Sequence, residues 1–384
     1  MPINKGKGKK DGLQKYNVRV NYHTDKGEYK QIFRTAYGLE AAKELERNLN
    51  DEINNKEIIN KDEKVAKKFT VQQLFDEYIN IKQYEVRETT IAKNRQNFNY
   101  YILPKFKNIL IDKITVASLQ QWKLSMEQKD LSLNSKKQAF SDFRAMLNYA
   151  VKMEYLPKNP ISKIGNFKDK MSIEPEMDFY TSQEFIKFIS TAKKFAEERQ
   201  AKNQDLSEWD FYVFFNIAFF TGLRKGEIYA LKWSDINSGY LFVKRSITQK
   251  LKGGDRETPP KNKASVRTLQ IPLPLIQILK EHKERQGRSK YFSDDNRICG
   301  GEKCIRNTTV KRKNDMYAKT AELKIIRIHD YRHSHVSILA NENINIQEIA
   351  RRLGHSRIEM TWNTYSHLYP REEERAINIL NSIA

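Results

Sequence analysis

The sequence predicts a multidomain, mainly α protein: a small β-β-α unit at the N-terminus, an all-helical domain in the middle, and a mixed α+β domain filling the C-terminal half. Three observations carry this reading. The chain has 384 residues, enough for two or three separate cores. Two charged stretches with almost no apolar periodicity, 54–68 and the lysine-rich segment running to about residue 177, divide it. Across them the apolar pattern changes from alternation to three-and-four spacing, and then to a mixture of both.

Residues 1–12, with Lys5, Lys7, Lys9 and Lys10 among glycines, read as a mobile basic arm. Apolar and polar residues alternate over 16–22, turn formers fill 23–27, and 28–34 resumes the alternation, which predicts a hairpin. Residues 39–53 follow as an amphipathic helix. In the next unit the segments 71–83, 89–102, 116–128 and 132–153 each space apolar residues for one helix face, as Phe75, Tyr78 and Ile79 do. Pro157 and Pro160 close the last of them. Beyond Phe179, segments 182–195, 211–220, 223–231 and 274–286 predict helices, whereas 240–248 and 267–271 alternate like strands. The expected domain boundaries are 1–58, 70–165 and 178–384.

Lysine and arginine outnumber acids 69 to 48, a formal charge of +21. Such an excess argues for a polyanionic partner, because neutralising backbone phosphates releases condensed counterions. A solvated lysine-rich surface is the plainer alternative. No apolar run approaches the ~18 residues of a membrane span, and no apolar signal core follows the basic N-terminus, so a soluble, cytoplasmic protein is expected. The two cysteines, Cys299 and Cys304, make neither a disulfide framework nor a complete zinc site and read as incidental thiols in a polar loop.

Four motifs carry chemistry. In TGLRKGEI (221–228), Gly222 ends one helix, and Arg224 with Glu227 opens the next, where the carboxylate holds a fork able to grip two phosphate oxygens. An ordinary surface ion pair is the alternative. TPPKNKASVR (258–267) reads as a hairpin tip from which Lys261 or Lys263 reaches out as a flexible donor. In HDYRH (329–333), His329 and Arg332 project from one helix face, with His333 beside them. Because His329 and His333 are four apart, with Asp330 where HExxH has glutamate, a metal site is the rival reading. Aspartate is a methylene short for that role and Arg332 would crowd a dication, so neither metal nor cofactor is expected. In LGH (353–355), Gly354 ends a helix, and Ser356 with Glu359 forms a capping box for the next. On that helix Ile358, Trp362 and Tyr365 fall on one stripe, where Tyr365 alone would pass for a core aromatic.

Taken in order, TGLRKGE, PPKNKASVRT, HDYRH, LGH and TYSHL resemble the tyrosine recombinase family of phage-integrase type, over about residues 179–370. The resemblance implies a catalytic domain at 178–384, a helical core-binding (SAM-like) domain at 70–165 and an arm-type DNA-binding domain at 1–58. It makes Tyr365 the nucleophile, Arg224 and Arg332 the phosphate-gripping pair, and His329 and His355 the flanking histidines, with Glu227 and His333 in support. His329 is the candidate acceptor of the tyrosine proton. Lys261 matches the family's hairpin lysine best, with Lys263 as the alternative. Tyr331 and Trp362 stand where leucine is usual and read as packing changes.

The implied activity is site-specific strand cleavage and rejoining through a 3′-phosphotyrosyl link, without metal or ATP, to integrate and excise a mobile element. A dimer resolvase of the same chemistry and a non-catalytic DNA-binding protein are the rivals. Implied partners are double-stranded DNA at core and arm sites, three further copies in a homotetramer joined by exchange of the amphipathic tail 371–383, and an excisionase or DNA-bending protein. No membrane is involved.

Overall fold

The N-terminal segment that reads as a loose arm is a strand. β1 (Ile3–Lys10) pairs antiparallel with β2 (Leu13–His23), which pairs with β3 (Tyr29–Tyr37) in a sheet of order β1-β2-β3. Lys10 lies opposite Leu13, so Asp11-Gly12 is a two-residue turn with φ of 53° and 78°. Two positive φ values at an Asp-Gly pair are what a hairpin matching the strand twist requires. β1 has no apolar alternation to announce it; main-chain pairing holds it. α1 (Leu39–Asn54) covers one face, packing Ala42 and Leu49 on Val18 and Val20. On the strand register Arg19 lies across from Phe33 and His23 across from Tyr29, and both aromatics are exposed. The expected β-β-α unit is therefore β-β-β-α.

The computed structural model describes residues 3–23, 29–54, 69–169, 177–249, 251, 253–259, 263–369, 377, 380 and 381. It falls into two units, Met1–Lys170 and Met171–Ala384. Residues 55–68 and 170–176 of the expected linkers, Lys261, and most of the tail 371–383 lie outside the described residues.

The rest of the first unit follows the helical periodicity. α2 (Val71–Lys82) starts at Thr70, whose hydroxyl caps Gln73 while the Gln73 amide caps Thr70. α3 (Glu88–Asn97) runs through a π turn into the short α4 (Leu103–Phe106), and α5 (Val116–Glu127) and α6 (Leu133–Lys152) complete the bundle. Phe98, Phe106, Trp122, Phe140 and Phe143 form its aromatic core. Ile161 and Phe167 are buried in the same core, so the stretch up to residue 169, expected as linker, belongs to the bundle. A lone phenylalanine among lysines gives no periodic signal.

The second unit contains α7 (Ser182–Asn203), α8 (Ser207–Thr221) and α9 (Lys225–Ala230), followed, among the described residues, by five short strands. β4 (Ile236–Asn237), β5 (Tyr240–Val243) and β8 (Arg267–Gln270) form one sheet, and β6 (Ser246–Thr248) pairs with β7 (Arg256–Thr258) in another. The single strand expected over 240–248 is thus two. The break falls at Lys244 and Arg245, both paired with the buried Asp235. Segment 258–267 connects β7 to β8, which do not pair, so it is a crossing connection and not a hairpin tip.

After α10 (Leu273–Gln286) comes α11 (Asn307–Thr320), then α12 (Asp330–Asn341), α13 (Ile346–Leu353) and α14 (Glu359–Tyr365). α11 escapes sequence reading because only Val310, Tyr317 and Ala318 anchor an otherwise polar helix. Phe185, Phe188, Phe214, Phe215 and Phe219 build the core around Tyr331, whose hydroxyl donates to Asn314 Oδ1 at 2.8 Å. That bond accounts for a tyrosine in a buried leucine-like position. Cys299 and Cys304 are free thiols within this core, not in an open polar loop, and burial pushes the Cys299 thiol up. Among the described residues no helix is long and apolar enough to cross a membrane.

Candidate active site

Two left-handed glycines shape the site. Gly222 (φ 63°) ends α8, and an added Cβ would come within 2.7 Å of the His335 ring. Gly354 (φ 66°) ends α13, where a Cβ would meet the Arg267 guanidinium at 2.9 Å and the Ala264 carbonyl at 3.0 Å. Each turn brings a carbonyl inward. Arg332, on the first turn of α12 and only 2% exposed, donates from Nη1 to Gly222 O and from Nη2 to Leu353 O, both at 2.8 Å. Nη2 also donates to His355 Nε2 at 2.8 Å. Burial first, and then Arg224, press this guanidinium down to about 9, which leaves it cationic at neutral pH.

Arg224 occupies the N-cap of α9 and is the more open of the two arginines, its side chain 37% exposed. Its Nη1 donates to Glu227 Oε1 at 3.0 Å, and its backbone N–H to Glu227 Oε2 at 2.9 Å. Glu227 is not half of a surface pair. Its side chain is 5% exposed and takes a second cation, Arg267 of β8, which donates from Nη2 at 3.0 Å and from Nη1 at 3.3 Å. Burial alone would raise the Glu227 carboxyl, but Arg267 and Arg224 outweigh it and hold the pKa below the usual range. Arg267 also ties Nε to Arg352 O at 2.7 Å, so one side chain joins β8, α9 and the end of α13.

Arg267, the last residue of a lysine-rich motif, is not among the residues the motifs single out. Its sole signal was an arginine opening a predicted strand. Removing one member of so buried a pair costs about 3–5 kcal/mol. Arg267→Ala is therefore expected to lower Tm by on the order of 10 °C in thermal melts. Adding Glu227→Gln should recover part of the loss, because no buried carboxylate is then left underpaired.

Tyr365 ends α14 with its ring 2% exposed and its hydroxyl 2.8 Å from His333 Nδ1. Burial pushes the phenol up to about 12 against the pull of Arg332 and Arg224. A protonated phenol donates, so Nδ1 accepts and the His333 proton sits on Nε2, which faces Asp330 Oδ1 at 3.8 Å. Burial and the neighbouring His329 lower His333 to about 4, leaving a neutral imidazole free to take a proton. His329, the expected acceptor, is exposed at the start of α12 with its ring edge-on to His333 at 5.2 Å. Partial desolvation and then Arg332 lower its pKa. It has no hydrogen bond to Tyr365; His333 holds that place.

Asp330 is committed to Arg327, whose guanidinium and backbone N–H it accepts at 2.7–3.1 Å. That is not how the glutamate of a metalloprotease helix would be used. The expected stripe on α14 is rotated: Ile358 and Trp362 are exposed, whereas Thr361 and Tyr365 are buried. Trp362 is thus a surface residue and no packing change, and α14 starts without the side-chain cap expected of Ser356 and Glu359. Lys263 opens a single 3₁₀ turn, Lys263–Ser265, close along the chain to Arg267. His335, which had no expected role, backs Gly222 and bonds Phe219 O through Nδ1 at 2.9 Å. Beside Arg224 and His329 a cleft of about 680 Å³ is lined by Lys225, Lys311 and Arg327.

Burial, followed by Arg332, lowers His355 to about 4, so His333 and His355 are both neutral in the folded protein. Their depressed pKa values mean that the unfolded chain binds more protons below about pH 6.5. The stability they contribute is complete above that pH and is lost as pH falls toward 4. Melting followed from pH 7.5 to 4.5 should show Tm level above about 6.5 and falling by on the order of 5 °C below it. A flat profile would contradict buried neutral histidines.

Arg224 and Arg332 both reach the Leu353 carbonyl, Arg332 binds His355, and Tyr365 binds the neighbouring His333, a set suited to a phosphodiester. The phage integrase family matches residues 182–372, and its N-terminal SAM-like domain matches 70–126. The ICEBs1 integrase of Bacillus subtilis strain 168 is 30% identical over 293 residues, 74% of this chain and 75% of that protein. The chain belongs to the phage integrase family.

It is a tyrosine recombinase of the mobile-element integrase type, an enzyme that cleaves and rejoins DNA in site-specific recombination. A XerC-like tyrosine recombinase of Caldanaerobacter subterraneus subsp. tengcongensis is also 30% identical, over 77% of this chain and 78% of its own length. The fold is that of the Tn1549 transposon integrase solved with a circular intermediate DNA (TM-score 0.65, 20% identity, 82% of this chain and 99% of that one). It is likewise that of the lambda integrase solved as a tetramer on a Holliday junction (TM-score 0.54, 17% identity, 93% and 96% covered). The fold class expected from sequence and the enzyme class implied by the motifs both hold.

Proposed function

We propose that Tyr365 is the nucleophile of this recombinase and that His333 accepts its proton. The observation that carries the reading is the 2.8 Å bond between the Tyr365 hydroxyl and His333 Nδ1, beside a buried Arg332. As the phenolic oxygen bonds to phosphorus, its proton passes to Nδ1, and the imidazolium is steadied by Asp330. Arg224 and Arg332 hold the non-bridging oxygens and offset the charge of the five-coordinate state, the work a metal would do elsewhere. The bond to the 5′ oxygen breaks, and Lys261 supplies that oxygen's proton, with Lys263 as the alternative donor. His329, exposed at the cleft, contacts the phosphate. The 3′-phosphotyrosyl link keeps the energy of the phosphodiester, so the 5′ hydroxyl of another strand reverses the step without ATP.

The helical bundle at 70–165 fits a core-site clamp. The open face of the N-terminal sheet, with Arg19, Phe33 and Tyr29, fits a second DNA site and favours an element's integrase over a dimer resolvase. Four copies act together, their tails exchanged between neighbours. Ile377 and Leu380, exposed on the tail, are the side chains such an exchange would cover. An excisionase or DNA-bending protein completes the directional reaction. The test is a nicked, end-labelled attachment-site DNA incubated with the protein in EDTA. A covalent protein–DNA adduct is expected, and its absence from every cognate site would remove the enzymatic reading.

A further inference from the structure

Thr361 lies on the first turn of α14, four residues before Tyr365, and is 0% exposed. Its Oγ1 is 2.8 Å from His355 Nδ1, while His355 Nε2 is 2.8 Å from Arg332 Nη2. A guanidinium has donors only, so Nε2 must accept from Arg332. A neutral imidazole carries one proton, which is then on Nδ1 and is donated to Thr361 Oγ1. Nothing among the described residues accepts the proton of the Thr361 hydroxyl itself.

Reversing both bonds removes that defect. With its proton on Nε2, His355 accepts at Nδ1 from the Thr361 hydroxyl, and Nε2 becomes a donor. In the free protein this form is blocked, since the Nε2 proton would face the Arg332 Nη2 donor. A phosphate reaching Arg332 lifts the block: the guanidinium turns a donor to one phosphate oxygen, and Nε2–H serves another. The proton leaves Nδ1 for water and water returns one to Nε2, so no net charge moves.

We propose that Thr361 is a positioning residue acting through His355: its hydroxyl, able to accept or donate, lets His355 exchange tautomers, accepting from Arg332 in the free protein and donating to the scissile phosphate in the complex. This rests on the proposed reading of Tyr365 as nucleophile. His333 is not placed to do the same, because its Nδ1 is engaged by the phenol and its Nε2 faces Asp330.

The experiment uses full-length protein labelled with ¹⁵N in its histidines, carrying Tyr365→Phe to prevent cleavage, free and bound to attachment-site DNA. The His355 resonances are identified by their loss in His355→Asn. The proton is expected on Nδ1 in the free protein and on Nε2 in the complex; one tautomer in both states overturns the proposal. On nicked DNA at saturation, Thr361→Val is expected to slow adduct formation by at least about tenfold with affinity unchanged. Thr361→Ser, which keeps the hydroxyl, should stay within about threefold of wild type. Serine as slow as valine assigns Thr361 to packing and overturns the proposal, as does valine at the wild-type rate. A wild-type chain that forms no adduct removes the reading of Tyr365 instead.

Discussion

Tyr365→Phe is expected to yield no covalent protein–DNA product under conditions where the wild type gives one, while the fold and DNA affinity persist. The phenylalanine ring fills the same buried space. What disappears is one hydrogen bond, leaving His333 Nδ1 without its donor. An unmade bond of that kind costs about 1–3 kcal/mol, which a domain with so large an aromatic core absorbs. The chemistry has no such margin, because the oxygen that would bond to phosphorus is gone. Gel shift and adduct assays on the same DNA separate the two effects. Any adduct surviving the substitution would identify another nucleophile.

Arg332→Lys should be nearly as damaging to cleavage, although it preserves charge. The guanidinium reaches Gly222 O, Leu353 O and His355 Nε2 from one rigid plane. A lysine ammonium on a flexible stem cannot hold three partners set around that plane. It would drop at least the bond to His355 and lose its orientation toward the phosphate. The first-order rate of adduct formation at saturating DNA is expected to fall by roughly 10²–10³-fold, the usual loss for an oxyanion donor. Affinity should change only a few-fold, since Arg332 is 2% exposed and one cation among 69 lysines and arginines. Equal losses of binding and cleavage would make it a folding or binding residue.

Much of this was legible in the sequence, for identifiable reasons. The bundle shows itself through three-and-four spacing, and the ordered motifs point to Arg224, Glu227, Arg332, His355 and Tyr365, which pair as Arg224 with Glu227, Arg332 with His355, and Tyr365 with His333. What stayed hidden depends on geometry that no spacing encodes. β1 is held by main-chain bonds, and the Asp-Gly pair that follows it is a turn signal within what reads as a loose arm. His329 and His333 lie one helical turn apart on the same side, and only the approach of α14 decides which meets the tyrosine. Arg267 and Glu227 are forty positions apart in the chain, and the sheet alone makes them partners. The α14 stripe misled because Ile358 and Trp362 are apolar and Thr361 is not, yet the buried position went to the residue that completes His355.

In the proposed reaction the recombinase holds DNA through Tyr365. The measurement closest to it is mass spectrometry of the adduct formed in EDTA, after nuclease digestion and proteolysis. A nucleotide-modified peptide with the phosphate on Tyr365 is expected. A modified peptide lacking Tyr365, or an adduct that forms only when a divalent metal is restored, would contradict it.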